Sequence, residues 1–215
     1  MPIHGAKTNP SEATRGHVIH WAPLYEALFG PLIRRTHPAV VELAGPRPGE
    51  RVLDVGCGPG SLTVALRRSV GPAGSAHGID ASPEMIEAAR RNASRAGVEV
   101  GFQVGVAEAL PFSDGTFDLV VSQLAIHHLP DDLRPAAFGD MRRVLKPGGR
   151  CLIIDFEPPK SGVGHLVARM VLGPEMMRID VADYRALLES AGFKNVETGR
   201  TRYRLLSFVR GVVAR

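Results

Sequence analysis

Two cysteines in 215 residues, Cys57 and Cys151, are too few for a disulfide framework, and no histidine stands at metal-ligand spacing from either. Both fall in apolar segments, where they are expected to be small buried hydrophobes in a reducing compartment. No apolar run nears the roughly 18 residues needed to cross a bilayer. Residues Met1 to Thr14 lack the apolar core of a secretory leader, so the sequence reads as cytoplasmic. Nor is there a strongly basic block. The net charge of +4 comes from arginines spread along the chain, with only short clusters at Arg34-Arg35, Arg67-Arg68 and Arg142-Arg143. These read as solvated helix faces, and no nucleic-acid partner is expected. Internal repeats and low-complexity stretches are absent. With 44% hydrophobic and 22% charged residues, the chain has the length and composition of one globular unit.

What is present is alternation. From Gly16 to Arg35, apolar residues recur at helical spacing (Val18, Trp21, Tyr25, Leu28, Leu32), but Pro23 and Gly30-Pro31 predict a break into short helices. A further short helix, Ala39 to Leu43, leads into the stiff turn Gly45 to Gly49. Strands are then predicted at Arg51–Val55, Ser75–Ile79, Glu99–Val104, Phe117–Ser122 and Arg150–Phe156. Between and after them come helices Ser61–Val70, Pro83–Ala96, Asp131–Val144 and Val181–Ala191. Ser82 reads as an N-cap with Pro83 at the first helical position. Short, wholly apolar strands alternating with helices indicate a mostly parallel, doubly wound sheet covered on both faces. A terminal strand pair near Asn195–Ala214 adds an antiparallel strand. Residues 1–45 read as an N-terminal helical cap and 46–215 as the main domain, with an inserted lid at about 158–180.

The segment Val52-Leu53-Asp54-Val55-Gly56-Cys57-Gly58-Pro59-Gly60 carries the chemistry. A buried strand passes through a tight glycine turn into a helix, the place where open α/β sheets take nucleoside-containing ligands. A pyrophosphate favours bare helix N–H groups and positive potential. A carboxylate at Asp54 opposes that and favours a ligand with an ammonium or sulfonium group. Dinucleotide turns also space their glycines G-x-G-x-x-G, whereas this turn reads G-x-G-x-G. Asp80, about 20 residues on at the end of the second strand, has the position and chemistry to accept both hydroxyls of a ribose. Both observations suit S-adenosylmethionine (AdoMet).

Five segments, from roughly Gly49 to Gly192, resemble class I AdoMet-dependent methyltransferases of the UbiE/type-11 branch. They are the glycine turn, Gly105-Val106-Ala107-Glu108-Ala109-Leu110-Pro111-Phe112, the approach Phe112 to Asp118, Ile126-His127-His128-Leu129-Pro130-Asp131, and Arg143 to Arg150 with its Lys146-Pro147-Gly148-Gly149 turn. The resemblance implies a Rossmann-like sheet of seven strands. It implies AdoMet bound by Asp54, Gly56, Cys57, Gly58 and Gly60 of the first loop and by Asp80, Ala81 and Met85 after the second strand. Val106, Ala107 and Glu108 would lie beside the adenine, and Ser122 and Gln123 at the methionine end. One departure stands out. Val106 replaces the polar residue that pairs with the adenine amino group, which leaves that contact to the Ala107 backbone or to Glu108.

Methyl transfer to a small acceptor, hydrophobic or aromatic, is the reaction this implies, with S-adenosylhomocysteine as product. A base is needed only if the attacking group is protonated at neutral pH, as a phenol of pKa about 10 is. His128 and His127 are the candidates, with His17 and His20 behind them. Adjacent residues on a helical turn do not share a face, so at most one of the pair can point into the cleft. The acceptor pocket is expected from outside the repeated units: His17, Trp21 and Tyr25 on one side, Met170 and Met176 on the other. No metal site is expected. The Asp/Asn-Pro-Pro-Tyr motif that holds a planar nitrogen is missing, with Ser122-Gln123-Leu124-Ala125 in its place. An AdoMet-binding protein without turnover and an RNA methyltransferase remain alternatives, as do monomer and homodimer.

Overall fold

The computed structural model describes Gly16, residues 22–159, 161, 162, 165, 170 and 180–215, with side chains omitted for residues 22–28. Helix α1 (Ala22–Ala44) precedes β1 (Arg51–Val55), α2 (Ser61–Ser69), β2 (Ser75–Asp80), α3 (Pro83–Arg95) and β3 (Gly101–Val104). Then come β4 (Phe117–Gln123), a single 3₁₀ turn (Ile126–His128), α4 (Arg134–Val144), β5 (Leu145–Phe156), α5 (Val181–Ser190), β6 (Lys194–Arg200) and β7 (Leu206–Val212). The seven strands form one sheet in the order β3-β2-β1-β4-β5-β7-β6. β1 to β5 run parallel, and β7 lies antiparallel between β5 and β6.

Sequence periodicity explains the layering. Alternate residues of a strand face opposite sides, and both sides are apolar here. Leu53, Val55, Val120 and Ile153 pack under Phe138, Met141 and Val144 of α4 and Tyr184 and Leu188 of α5. Val52, Leu119, Val121, Leu152 and Ile154 pack on the opposite side with Val40 and Ala44 of α1 and Leu62 and Leu66 of α2. Central strands buried on both faces are the mark of a parallel sheet. Ser82 caps α3 as its sequence indicated, accepting from the Met85 N–H at 3.2 Å.

Three expectations need correction. The prolines do not divide the N-terminal segment: α1 is one helix with Pro31 and Pro38 inside it. A mid-helix proline costs about 3 kcal/mol through its lost N–H and ring clash. Around Pro38, side chains serve neighbouring carbonyls instead. Thr36 Oγ1 donates to the Ile33 carbonyl at 2.6 Å, and the Tyr203 hydroxyl donates to that of Arg35. Burial of Val40 and Ala44 on the sheet does the rest. Second, β5 starts at Leu145 instead of Arg150. Leu145 pairs with Phe117, Lys146–Gly149 bulge out, and the ladder resumes at Arg150 opposite Leu119. Third, α4 begins at Arg134, not Asp131, and β3 at Gly101, not Glu99.

Candidate active site

The chain order reverses between β1 and β4: β2 and β3 extend the sheet one way, β4 and β5 the other. Loops leaving β1 and β4 therefore part in opposite directions and open a crevice beyond the carboxyl ends of the strands. A cavity of about 150 Å³ occupies it. Where the two strands separate, Ser122 Oγ donates to the Val55 carbonyl at 2.8 Å, satisfying a group that the ladder no longer serves.

The glycine turn fills the β1 side. Gly56 has φ +73°, and a Cβ there would lie 2.3 Å from that of Ala125, so the β1 and β4 loops touch only because Gly56 is bare. Gly60, at φ +77°, plays another part. Its missing Cβ makes room for Phe102 and Ala89, at 2.7 and 2.8 Å, so it seats α2 against α3 and β3 instead of lining the cavity. The turn's amides are already used. Gly56 and Cys57 both donate to the Ile79 carbonyl at 2.9 Å and Gly60 to that of Cys57 at 3.0 Å. Gly58 donates to Asp80 Oδ2 at 2.9 Å, and Pro59 has no N–H. No amide from Gly56 to Gly60 is left to cradle a phosphate.

Two carboxylates face the space instead. Asp54 is 1% exposed, and Thr63 Oγ1 donates to its Oδ2 at 2.7 Å. Burial, reinforced by the charge of Asp80, pushes its pKa up to about 7 despite that bond. Burial also raises Asp80, although the N–H groups of Ser82 and Gly58 hold its carboxylate. Two desolvated acids at one crevice favour a ligand that brings positive charge. Cys57 lines the same wall, and burial raises its thiol well above the ordinary range.

Beyond β3, Val106 and Ala109 close a tight loop that presents Val106, Ala107 and Glu108 to the cavity. Arg143 holds the loop from behind. Its guanidinium donates to the carbonyls of Leu110 and Phe112 at 2.9 and 2.7 Å, and pairs with Asp140 and Asp114. Both Glu108 carboxylate oxygens are buried without a hydrogen-bond partner. A hydrogen-bond donor on a ligand would satisfy them.

The β4 side carries the histidines. Leu124 takes φ +55°, a left-handed conformation that costs a branched residue roughly 1–3 kcal/mol and turns the chain into the 3₁₀ segment. His127 points away from the cleft: its Nδ1 lies 2.5 Å from Asp155 Oδ1, and its N–H donates to Oδ2 at 3.0 Å. Tyr184 also donates to that fully buried carboxylate, at 3.2 Å. His128, the next residue, lines the cavity. One histidine is thus an anchor and the other faces the site.

Of the residues singled out from sequence, Asp54, Gly56, Cys57, Gly58, Asp80, Ala81, Met85, Val106, Ala107, Glu108, Gln123 and His128 converge on this cavity. Gly60, Ser122 and His127 support it from behind. Met170 stands 80% exposed and is no part of the lining. His17, Trp21 and Met176 lie outside the described residues, as does the Tyr25 side chain. Sequence reasoning missed Gly30, Ile33 and His37 of α1, which also line the cavity. The signal was available: Ile33, His37, Val40 and Ala44 fall on one helical stripe, and a histidine in an apolar stripe is a polar group facing inward.

Residues 52–149 match the family described as a methyltransferase domain. The chain is 38% identical over 154 residues to a demethylmenaquinone methyltransferase of Thermus thermophilus, covering 69% of this chain and 68% of that one. It is 35% identical over 173 residues to a ubiquinone/menaquinone biosynthesis C-methyltransferase of Pseudomonas putida, covering 77% and 67%. The structure of a SAM-dependent methyltransferase from Aquifex aeolicus superposes with a TM-score of 0.69 at 23% identity, over 83% of this chain and 89% of that one. The chain belongs to the class I S-adenosylmethionine-dependent methyltransferases, is related within them to the ubiquinone/menaquinone C-methyltransferases, and uses S-adenosylmethionine as its methyl donor.

Proposed function

We propose that this enzyme methylates a small, flat, hydroxylated aromatic acceptor. The observation that carries the reading is the composition of the cavity on the α1 and β4 side, where Ile33, Leu124, Ile126 and Leu129 leave His37 and His128 among apolar walls. Apolar surface with a few convergent polar atoms suits an aromatic molecule bearing one or two hydroxyls. The relatives in menaquinone and ubiquinone biosynthesis, at 35–38% identity, support the same acceptor class. We assign the described part of the expected N-terminal cap, α1, to this side through Gly30, Ile33 and His37, whereas most of the expected lid at 158–180 lies outside the described residues.

In this proposal Asp80 takes the ribose hydroxyls, and Asp54 faces the cationic end of AdoMet. Glu108 accepts from the adenine amino group in place of the polar residue that Val106 displaces, a neighbouring position on the same loop. Met85, Ala81 and Ala107 pack the nucleoside, while Gly56, Cys57 and Gly58 bring backbone close to its tail. Gln123 stays with the β4 end, where its Nε2 donates to Thr36 Oγ1 at 2.6 Å and ties that end to α1. Bound AdoMet supplies an electrophilic methyl group on a sulfonium. A phenol of pKa about 10 is a poor nucleophile at pH 7, whether through oxygen or through the ring carbon beside it, so His128 takes the hydroxyl proton as the acceptor attacks. Where the ring carbon receives the methyl group, that carbon's own proton leaves to solvent and restores the aromatic ring. His127, clamped to Asp155, fixes the turn that aims His128. The apolar walls exclude water, and alignment in a dry cleft supplies much of the rate.

The test is methyl incorporation from labelled AdoMet into 1,4-dihydroxynaphthalene, kept reduced under anaerobic conditions, with single-stranded RNA as the comparison acceptor. Methylated naphthalene product in wild type, reduced at least a hundredfold in His128→Ala with AdoMet affinity intact, supports the assignment. Labelled RNA with no naphthalene product refutes it.

A further inference from the structure

Among the described residues, buried side-chain nitrogens or oxygens without a partner belong to three residues only: His37, Glu108 and Arg142. Two of these, His37 and Glu108, line the cavity described above. Glu108 answers to the cofactor in the reading above, whereas His37 belongs to α1, which is joined to the end of β4. The residue is 7% exposed, and its Nε2 makes no hydrogen bond. The neighbouring polar groups are paired: Thr36 Oγ1 donates to the Ile33 carbonyl and accepts from Gln123 Nε2. That chain of bonds ties α1 at Thr36, the residue before His37, to the end of β4. A buried polar atom left open beside satisfied neighbours, in the wall of a ligand cavity, is a place where a ligand completes the bonding.

We propose that His37 is the specificity-determining residue on the acceptor side, its Nε2 hydrogen-bonding a hydroxyl of the acceptor other than the one that faces His128. This rests on the acceptor class proposed above. Burial and the adjacent Arg34 lower the pKa of His37 to about 4, so the ring is neutral at working pH and adds no positive charge to a cleft that takes a sulfonium. A neutral imidazole presents either a donor or an acceptor at Nε2, depending on tautomer, and a hydroxyl can answer both. A methyl or methoxy group cannot donate, and a bare ring edge does neither. A second hydroxyl is thereby selected, and an acceptor without it leaves Nε2 unpaired in a closed complex.

The experiment measures equilibrium binding of 1,4-dihydroxynaphthalene and of 1-naphthol to the S-adenosylhomocysteine-loaded protein, anaerobically, for wild type, His37→Leu and His37→Gln. Wild type is expected to prefer the dihydroxy probe at least tenfold. His37→Leu should abolish the preference while keeping 1-naphthol affinity within about threefold, and without lowering the unfolding temperature, since an unpaired buried nitrogen is replaced by an apolar side chain. His37→Gln, which retains a donor and an acceptor, should keep part of the preference. In wild type, the ¹⁵N resonance of His37 Nε2 should move on adding the dihydroxy probe and stay in place with 1-naphthol, a readout that needs no variant. If both probes bind and the preference survives in His37→Leu, or if the resonance does not move, His37 does not read the acceptor. If neither probe binds wild type although S-adenosylhomocysteine does, the acceptor class itself is wrong and the proposal falls with it.

Discussion

Asp54, assigned above to the cationic end of AdoMet, should make cofactor binding depend on pH in a direction set by its burial. Its carboxyl is buried and raised to about 7, so half of the free protein carries it protonated at that pH. A cationic ligand end prefers the ionised form. Binding must then expel the proton below pH 7, and affinity falls about tenfold, or ~1.4 kcal/mol, for each pH unit. From pH 8 to pH 5 the apparent Kd for AdoMet should rise roughly a hundredfold on this account. Asp80 is raised too, so it can only steepen the profile. The control is 5′-methylthioadenosine, which has the adenine and ribose but neither sulfonium nor ammonium. It carries any Asp80 contribution and none from Asp54, and the ratio of the two dissociation constants isolates Asp54. Calorimetry across this range should show that ratio climbing about a hundredfold as pH falls, and remaining flat in Asp54→Asn. In the unliganded protein the same shift acts on stability with opposite sense. The native state holds a proton that the unfolded chain releases between about pH 4 and 7, so stability falls as pH rises through that window, and AdoMet relieves the loss. Parallel profiles for the two ligands would refute the argument that Asp54 faces positive charge.

Gly56→Ala places a Cβ 2.3 Å from Ala125 at a φ of +73°. It should cost about 2–4 kcal/mol in urea unfolding and abolish AdoMet binding, and the double variant with Ala125→Gly should recover the packing part of the loss but not the backbone part. Glu108→Leu removes two unpaired buried oxygens, so the unliganded protein should gain about 1 kcal/mol while AdoMet and S-adenosylhomocysteine both bind roughly tenfold more weakly. Thermal unfolding and calorimetry on the same samples test both halves. Asp155→Asn weakens the bonds to His127, Tyr184 and Phe156 N–H at once. It should cost about 1–3 kcal/mol of stability and lower kcat more than it raises the Kd for AdoMet, because the displaced group is the turn that aims His128; an unchanged kcat contradicts that role.

The sheet and most of the crevice lining were legible because they depend on local rules. Apolar runs bounded by glycine and proline locate strands, Ser82-Pro83 announces a helix start, and Asp54 and Asp80 sit at fixed offsets from one turn. The errors arose where tertiary contacts override local preference. Pro31 and Pro38 forbid a helix by propensity, yet α1 runs through both because its inward stripe has a sheet to cover. Pro147 and the two following glycines suggest a turn ahead of a strand, yet the pairing of Leu145 with Phe117 makes them a bulge within one. His127 and His128 are indistinguishable in sequence. Only the position of Asp155, twenty-eight residues away, decides which is held back and which faces the cavity.

The glycine turn gives a physical reason why one fold serves two ligand charges. A strand, a glycine turn and a helix N-terminus suffice to bind a phosphate, provided the turn's amides are free. Here the Ile79 carbonyl takes two of them, Asp80 takes a third and Cys57 a fourth. Asp80 acts at once as acceptor for the loop and as an acid facing the ligand, so the residue that removes the amide donor also supplies negative potential. Reversing the preference therefore requires more than exchanging Asp54. Asp80→Asn would neutralise the charge but leave its side-chain oxygen on the Gly58 amide, and the Ile79 carbonyl would still hold Gly56 and Cys57. The double variant Asp54→Asn with Asp80→Asn should accordingly lose AdoMet without gaining NAD, and measurable NAD binding by that variant would show that charge alone, and not amide availability, sets the choice.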